Sequence, residues 1–161
     1  SLCLLNDSKK LSSKKRDSLF KLITEHALAI GLGEVEPPEI DRINILQATF
    51  RAMRESVLIA AQQLSSAVDI LLIDGKHKVP GLEMKQTSLV KGDARSYAVA
   101  AASIVAKVTR DQQMRVAHSN YPQYGFDRHK GYGTEAHRIA LSKYGPSPLH
   151  RRSFKWRAVQ S

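Results

Sequence analysis

The chain has a single cysteine, Cys3, so no intrachain disulfide can form and a disulfide-stapled secreted domain is excluded. A reducing, cytoplasmic setting is the expectation that follows. The sequence also has no run of about 18 consecutive apolar residues, the length a bilayer-spanning helix needs, so no membrane partner is expected. No glycine-rich phosphate loop opens a helix and no nucleophile elbow is present, which removes support for P-loop nucleotide hydrolysis and serine-hydrolase chemistry. Acids are few: 15 Asp and Glu stand against 25 Lys and Arg, a formal charge of +10. That excess concentrates anions around the protein and makes nucleic acid the leading partner class. The bases are unevenly spread, with six and no acid in residues 136–161 and five against one acid in residues 7–16. Either stretch can line a phosphate track or form a solvated face.

What is present fits one domain over residues 1–161, with 42% hydrophobic residues for a core and an irregular basic tail from 145 to 161. Ser13 precedes Leu19, Leu22, Ile23 and Ala27 at helical spacing, which predicts a helix. Residues 27–35 set Leu28, Ile30, Leu32 and Val35 among small residues, the pattern of a strand, broken by Glu36-Pro37-Pro38-Glu39. Residues 40–64 predict one long amphipathic helix through Ile43, Leu46, Phe50, Met53, Val57 and Ala60. Residues 67–73, apolar but for Asp69, read as a buried strand, and 87–90 as a short second one. Residues 97–108 are apolar almost all round and predict a core helix turning polar at 110–113. A Tyr/Gly-rich loop over 121–134 and a helix over 135–143 complete a mixed α/β pattern with a helical C-terminal part. Only three strands are visible.

Two acids sit where such a pattern brings side chains together. Asp74 ends the apolar run Ile70-Leu71-Leu72-Ile73 and is followed by Gly75; Asp93 lies in Lys91-Gly92-Asp93 ahead of the core helix. Strand ends in α/β sheets open onto ligand crevices, and hydrolysis of a phosphodiester with two divalent cations needs hard oxygen ligands at one point. The bland alternatives are a turn aspartate before glycine for Asp74 and a helix cap for Asp93, a role for which Ser96 competes. For Asp111, at the polar end of the core helix, an ion pair with Lys107, Arg110 or Arg115 is the preferred reading.

Residues 121–134 interleave Tyr121, Tyr124, Phe126 and Tyr132 with Arg128, His129 and Lys130, a composition that stacks rings on nucleotides and holds phosphates. Tyr121, Tyr124 and Phe126 are expected to anchor the loop in the core, and Tyr132, between two glycines, to be exposed. His118, His129, His137 and His150 are scattered without metal-ligand spacing and read as separate structural histidines.

Seven segments in order resemble bacterial type 2 ribonuclease H, ribonuclease HII. They are Asp7-Ser8-Lys9-Lys10-Leu11, the stretch from Ile40-Asp41-Arg42 to Thr49, Ile73-Asp74-Gly75, Lys91-Gly92-Asp93, the stretch from Ala100-Ala101-Ala102-Ser103 to Arg110-Asp111, His129-Lys130-Gly131-Tyr132-Gly133-Thr134, and His150-Arg151-Arg152-Ser153-Phe154. The resemblance implies a ribonuclease H-like mixed sheet flanked by helices, and an endonuclease that cuts the RNA strand of RNA–DNA hybrids and 5′ of ribonucleotides embedded in duplex DNA. It implies Mn²⁺ or Mg²⁺ held by four acids, of which Asp74 and Asp93 match the third and fourth. It places Tyr132 against the sugar beside the ribonucleotide, and Lys9, Lys10, Arg151, Arg152 and Ser153 near the substrate backbone. A monomer is expected. The family's opening Asp-Glu-Ala-Gly-Arg-Gly strand and its hairpin have no counterpart in these residues, so two ligands and a central strand are missing from the pattern. The expectation is that the 161 residues alone fold poorly and cleave little; a non-catalytic hybrid-binding fragment is the alternative function.

Overall fold

The computed structural model describes residues 11–155. The motif around Lys9 and Lys10 and the last six residues of the basic tail lie outside them. In chain order the elements are α1 (Ser13–His26), α2 (Pro37–Ile43), α3 (Ile45–Gln62), β1 (Leu71–Asp74), β2 (Gln86–Leu89), α4 (Tyr97–Asn120), α5 (Phe126–His129) and α6 (Glu135–Tyr144), with 3₁₀ turns at Gly92–Ala94 and Pro122–Tyr124. The chain divides into two compact units, one built from residues up to Glu34 with Thr49–Val108, the other from Val35–Ala48 with Thr109 onward.

In the first unit, α1 starts at Ser12, whose hydroxyl accepts the Lys15 N–H at 3.3 Å. Its apolar stripe, Leu19 and Ile23, is buried against Ala100, Ile104, Val105 and Val108 of α4. That is the periodic pattern of the sequence turned into packing. Strands β1 and β2 pair in parallel, Leu71 opposite Gln86 and Asp74 opposite Leu89. Only residues 75–85 connect them, short for a parallel crossover. The Gln86 side chain holds that connection in place: its amide oxygen accepts the Val79 N–H at 2.8 Å and its amide nitrogen donates to the Val79 and Leu82 carbonyls at 3.0 and 3.1 Å.

The expected strand over 27–35 is not one. This segment is irregular, with a bend at Leu28, and joins no ladder; at Ile30 the backbone partners come from a side chain, the Gln63 amide accepting the Ile30 N–H at 3.3 Å and donating to the Ile30 carbonyl at 2.9 Å. A glutamine presents the same donor and acceptor pair as a neighbouring strand would. The single helix expected over 40–64 is two. Asn44 takes φ 67°, ending α2, and its side-chain oxygen accepts the N–H groups of Leu46 and Gln47 at 3.0 and 3.2 Å, capping α3. Asparagine tolerates the left-handed region and caps helices, so one residue does both. Glu36-Pro37-Pro38-Glu39, read as a breaker, opens α2 with proline in its first turn, where no intrahelical N–H is needed.

In the second unit, Met114, Ala117, Tyr124, Phe126, Ala140 and Leu141 form a separate buried cluster, with Tyr121 packed against it. The Tyr124 hydroxyl donates to the Gly145 carbonyl at 2.7 Å. The loop aromatics therefore anchor residues 121–130 from inside. Helix α6 starts at Thr134, which accepts the His137 N–H at 3.3 Å, close to the expected 135–143. Helix α4 runs to Asn120, well past the apolar stretch, because its later turns bury Met114 and Ala117 in this second cluster. The α/β class and the helical C-terminal part stand; the sheet among the described residues is the parallel pair β1 and β2. Among the described residues no helix is long and apolar enough to cross a membrane.

Candidate functional site

The first group of candidate residues lies in the first unit. The β1 ladder ends with the Gly75 N–H donating to the Leu89 carbonyl at 2.9 Å, which fixes Asp74 at the strand's last rung with its side chain exposed. One oxygen of Asp74, Oδ1, accepts the Gly92 N–H at 2.9 Å. The bond ties the end of β1 to the 3₁₀ turn that carries Asp93, so the two acids chosen from sequence belong to adjoining turns. A side chain at Gly92 would crowd this contact, since an added Cβ would lie 3.3 Å from Asp74 Oδ1, 3.0 Å from Val99 Cγ1 and 3.2 Å from Leu89 Cβ. Lys91 enters the turn in the left-handed conformation, φ 55°, at a cost of about 1 kcal/mol. Strain of this kind collects at functional turns. Asp93 is half-buried and its carboxylate makes no hydrogen bond to another described residue, so it does not cap α4; the Ser96 carbonyl accepts the first helical N–H, from Ala100, at 2.9 Å.

These acids fit a hard divalent cation as two of its ligands. Both are oxygen donors, the Asp74 orientation is set by a backbone N–H, and Gly92 leaves the space that a Cβ would fill. Among the described residues no group of three or more His, Cys, Asp or Glu surrounds a common point. Asp111 is buried, 7% exposed, in the second unit.

The second group lies in the second unit. Tyr132 is 64% exposed, on a turn entered by another left-handed lysine, Lys130, φ 52°. The turn is pinned from beneath by histidines that the sequence had left apart. His129 donates from Nε2 to the Tyr124 carbonyl at 2.7 Å and accepts the Gly131 N–H at 3.2 Å on Nδ1. His137 Nδ1 lies 2.9 Å from the Tyr132 carbonyl, which can only accept, so this nitrogen carries the proton. Its Nε2 then accepts from His150 Nε2 at 2.9 Å, and His150 Nδ1 accepts the Ser147 N–H at 2.9 Å and faces the Ser147 hydroxyl at 2.8 Å. The rings of His129 and His137 stack with centroids 4.3 Å apart. Every ring nitrogen is used, which makes the trio a hydrogen-bond relay rather than a metal site. Nothing in the spacing of 129, 137 and 150 signals it, since the contact is made by folding the C-terminal segment back onto α6.

The relay works only with neutral rings, for a second proton would set two N–H groups against each other. Burial, and for His150 next the charge of His137, pushes both histidines down, His150 to about 4 from the usual 6.5. A buried neutral histidine that must charge on unfolding stabilises the fold fully above pH 6.5, and that contribution is lost as pH falls toward 4. The shift amounts to roughly 3 kcal/mol, of which about 2 is lost by pH 5. Urea midpoints measured at pH 7.5 and 5 are expected to show this fall in the chain and a shallower one in His150→Asn, whose side-chain oxygen still accepts from Ser147. Identical pH profiles for the two proteins would dismiss the relay as a source of acid sensitivity.

Beside the relay, Asp41 of α2 accepts the Arg152 N–H at 2.7 Å, the Ser153 N–H at 2.9 Å and the Ser153 hydroxyl at 2.5 Å. These bonds, the hydroxyl first, hold the Asp41 carboxyl below its usual range. They fix Arg151, Arg152 and Ser153 as one turn, with the Arg151 guanidinium 3.7 Å over the Phe154 ring. Sequence reasoning had Asp41 within a motif but gave it no role.

The family model for Ribonuclease HII matches residues 2–157. The chain belongs to the ribonuclease HII family. It is 49% identical over 156 residues to the Ribonuclease HII of Syntrophus aciditrophicus, covering 97% of this chain and 71% of that protein. To that of Clostridioides difficile it is 51% identical over 93% of the chain, and to that of Dechloromonas aromatica 52% over the same share. The chain spans 57% of the Clostridioides difficile protein and 74% of the Dechloromonas aromatica one. The crystal structure of the ribonuclease H2 from Pyrococcus horikoshii OT3 shares the fold, with a TM-score of 0.66 over 94% of this chain and 77% of that one at 24% identity. As a member of this family, the chain belongs among endoribonucleases and carries their fold class.

Proposed function

We propose that this ribonuclease HII chain acts on RNA–DNA hybrids and on duplex DNA with embedded ribonucleotides, hydrolysing on the 5′ side of the ribonucleotide with the aid of Mn²⁺ or Mg²⁺. The observation that carries the reading is the Gly92 N–H bond to Asp74, which joins the end of β1 to the turn bearing Asp93. In this reading Asp74 and Asp93 are metal ligands. A bound divalent pair would polarise the scissile phosphate and favour ionisation of the attacking water. Tyr132, held by the His137 bond to its carbonyl, packs on the sugar next to the ribose. Arg151, Arg152 and Ser153, set by Asp41, contact the substrate backbone, with Lys9 and Lys10 assigned to the same role from sequence alone.

The test uses an end-labelled duplex with a single ribonucleotide and an all-DNA control, in Mn²⁺, Mg²⁺ and EDTA. It is run on the 161-residue chain and on the chain preceded by the Asp-Glu-Ala-Gly-Arg-Gly strand and hairpin that the family pattern contains. Metal-dependent cleavage 5′ of the ribonucleotide in either form is the expected result. Salt-sensitive binding that prefers ribose, with no cleavage in either form, would replace the nuclease with a hybrid-binding fragment. Equal binding to both duplexes would reject hybrid recognition altogether.

A further inference from the structure

A cavity of about 380 Å³ opens in the second unit beside the Tyr132 turn, lined by Gly131 and Gly133 of that turn and by four cations, Arg110, Arg138, Arg151 and Lys155. No carboxylate lines it, and its two histidines, His137 and His150, are the neutral members of the relay and supply no counter-charge. Asp41, the acid nearest in effect to Arg151, has its oxygens committed to Arg152 and Ser153. Burial and the facing charge of Arg110 both pull the Arg151 guanidinium below the usual arginine range, and Asp41 offsets them least. Half-buried Arg151, its guanidinium over the Phe154 ring, and Arg110, exposed on α4, thus line one pocket whose walls carry no carboxylate. An anion entering it would offset the mutual repulsion of the two cations.

We propose that this cavity is a phosphate pocket that takes one phosphodiester of the bound strand, next to the nucleotide that meets Tyr132, with Arg110 as its principal unassigned ligand. The proposal deepens the hybrid-binding reading above and rests on it for the choice of strand. Arg110 is placed by the turn itself: a Cβ on Gly131, φ 82°, would lie 3.6 Å from Arg110 Nη2, so the guanidinium lies against the backbone just before Tyr132. Three guanidinium forks and an ammonium match the several acceptor oxygens of a phosphate better than the two of a carboxylate. The apolar side of the cavity, from Met114, Phe126 and Leu141, suits the sugar or base edge that follows a phosphodiester and gives a free inorganic anion nothing.

The experiment couples protein and nucleic acid changes. Affinities of the 161-residue chain and of Arg110→Gln are measured for hybrids in which one phosphate at a time is replaced by an uncharged methylphosphonate. Arg110 is exposed on α4, and melting curves check that the variant is folded. At one position near the ribose, methylphosphonate is expected to weaken binding by the chain about tenfold, the loss of one charge-assisted contact, and to leave Arg110→Gln nearly unaffected. Arg151→Gln should couple to the same position. If every position weakens both proteins alike, the pocket takes no phosphodiester and the proposal falls. It also falls if inorganic phosphate raises the melting temperature of the chain but no position couples to Arg110. A coupled position on all-DNA duplex, without preference for ribose, keeps the pocket and removes the hybrid reading; ribose preference with no coupled position does the reverse.

Discussion

Asp74→Asn is expected to lower cleavage about a thousandfold, in whichever form of the chain cleaves, while leaving hybrid affinity within about twofold. Asparagine keeps the structural part of the aspartate's role. Its side-chain oxygen can still accept the Gly92 N–H, so the joint between β1 and the Asp93 turn survives. If Asp74 is a metal ligand as proposed, what is lost is one negative charge that neutralises the divalent pair, and several kcal/mol of transition-state stabilisation go with it. In the same reading, binding rests on phosphate contacts by cations elsewhere and changes little. Asp74→Ala is the informative companion, because it removes the acceptor too and leaves the Gly92 N–H partnerless; it should lose stability where Asp74→Asn does not. Cleavage surviving in Asp74→Asn at near the original rate would end the assignment of Asp74 as a metal ligand, and a fall in melting temperature equal to that of Asp74→Ala would show that the residue acts by structure alone.

The positions of Asp74 and Asp93 in the fold were legible for a physical reason. An apolar run that stops at an aspartate and a glycine announces a strand end, and Asp93 precedes a segment too apolar to be anything but core. The bond that connects them was not legible, because it depends on Gly92 lacking a side chain and on Lys91 turning left-handed. The helices were legible from periodicity, with Asn44 the exception: its neighbours continue the apolar stripe, and only the residue's tolerance of positive φ and its capping oxygen divide α2 from α3. The pattern over 27–35 misled because its alternation does not mark a buried face: Leu28 is 89% and Leu32 43% exposed, the glycines flanking Leu32 lie against α3, and Gln63 supplies what a strand neighbour would. The histidine relay and the Asp41 anchor join residues far apart in the chain through single atoms, and no local pattern carries such information.

The same segment sets the other large expectation. Gly31→Ala should cost about 3 kcal/mol or more, a fall in melting temperature on the order of 10 °C. Backbone strain is not the cause, for alanine adopts the extended conformation readily. The cause is distance: a Cβ on Gly31 would lie 1.8 Å from the Ser56 carbonyl oxygen and 2.8 Å from the Ala60 nitrogen. Backbone atoms inside α3 cannot rotate away as a side chain would, so the segment must withdraw by more than an ångström. Withdrawal pulls the Ile30 N–H and carbonyl off the Gln63 amide, and both groups then depend on solvent. Gly133→Ala is the control, since a methyl there meets nothing within 4 Å and should change stability by less than about 0.5 kcal/mol. If Gly31→Ala melts with the unchanged chain, the close approach of this segment to α3 is not what holds the first unit, and the Gln63 clamp would have to be tested in its place by Gln63→Leu.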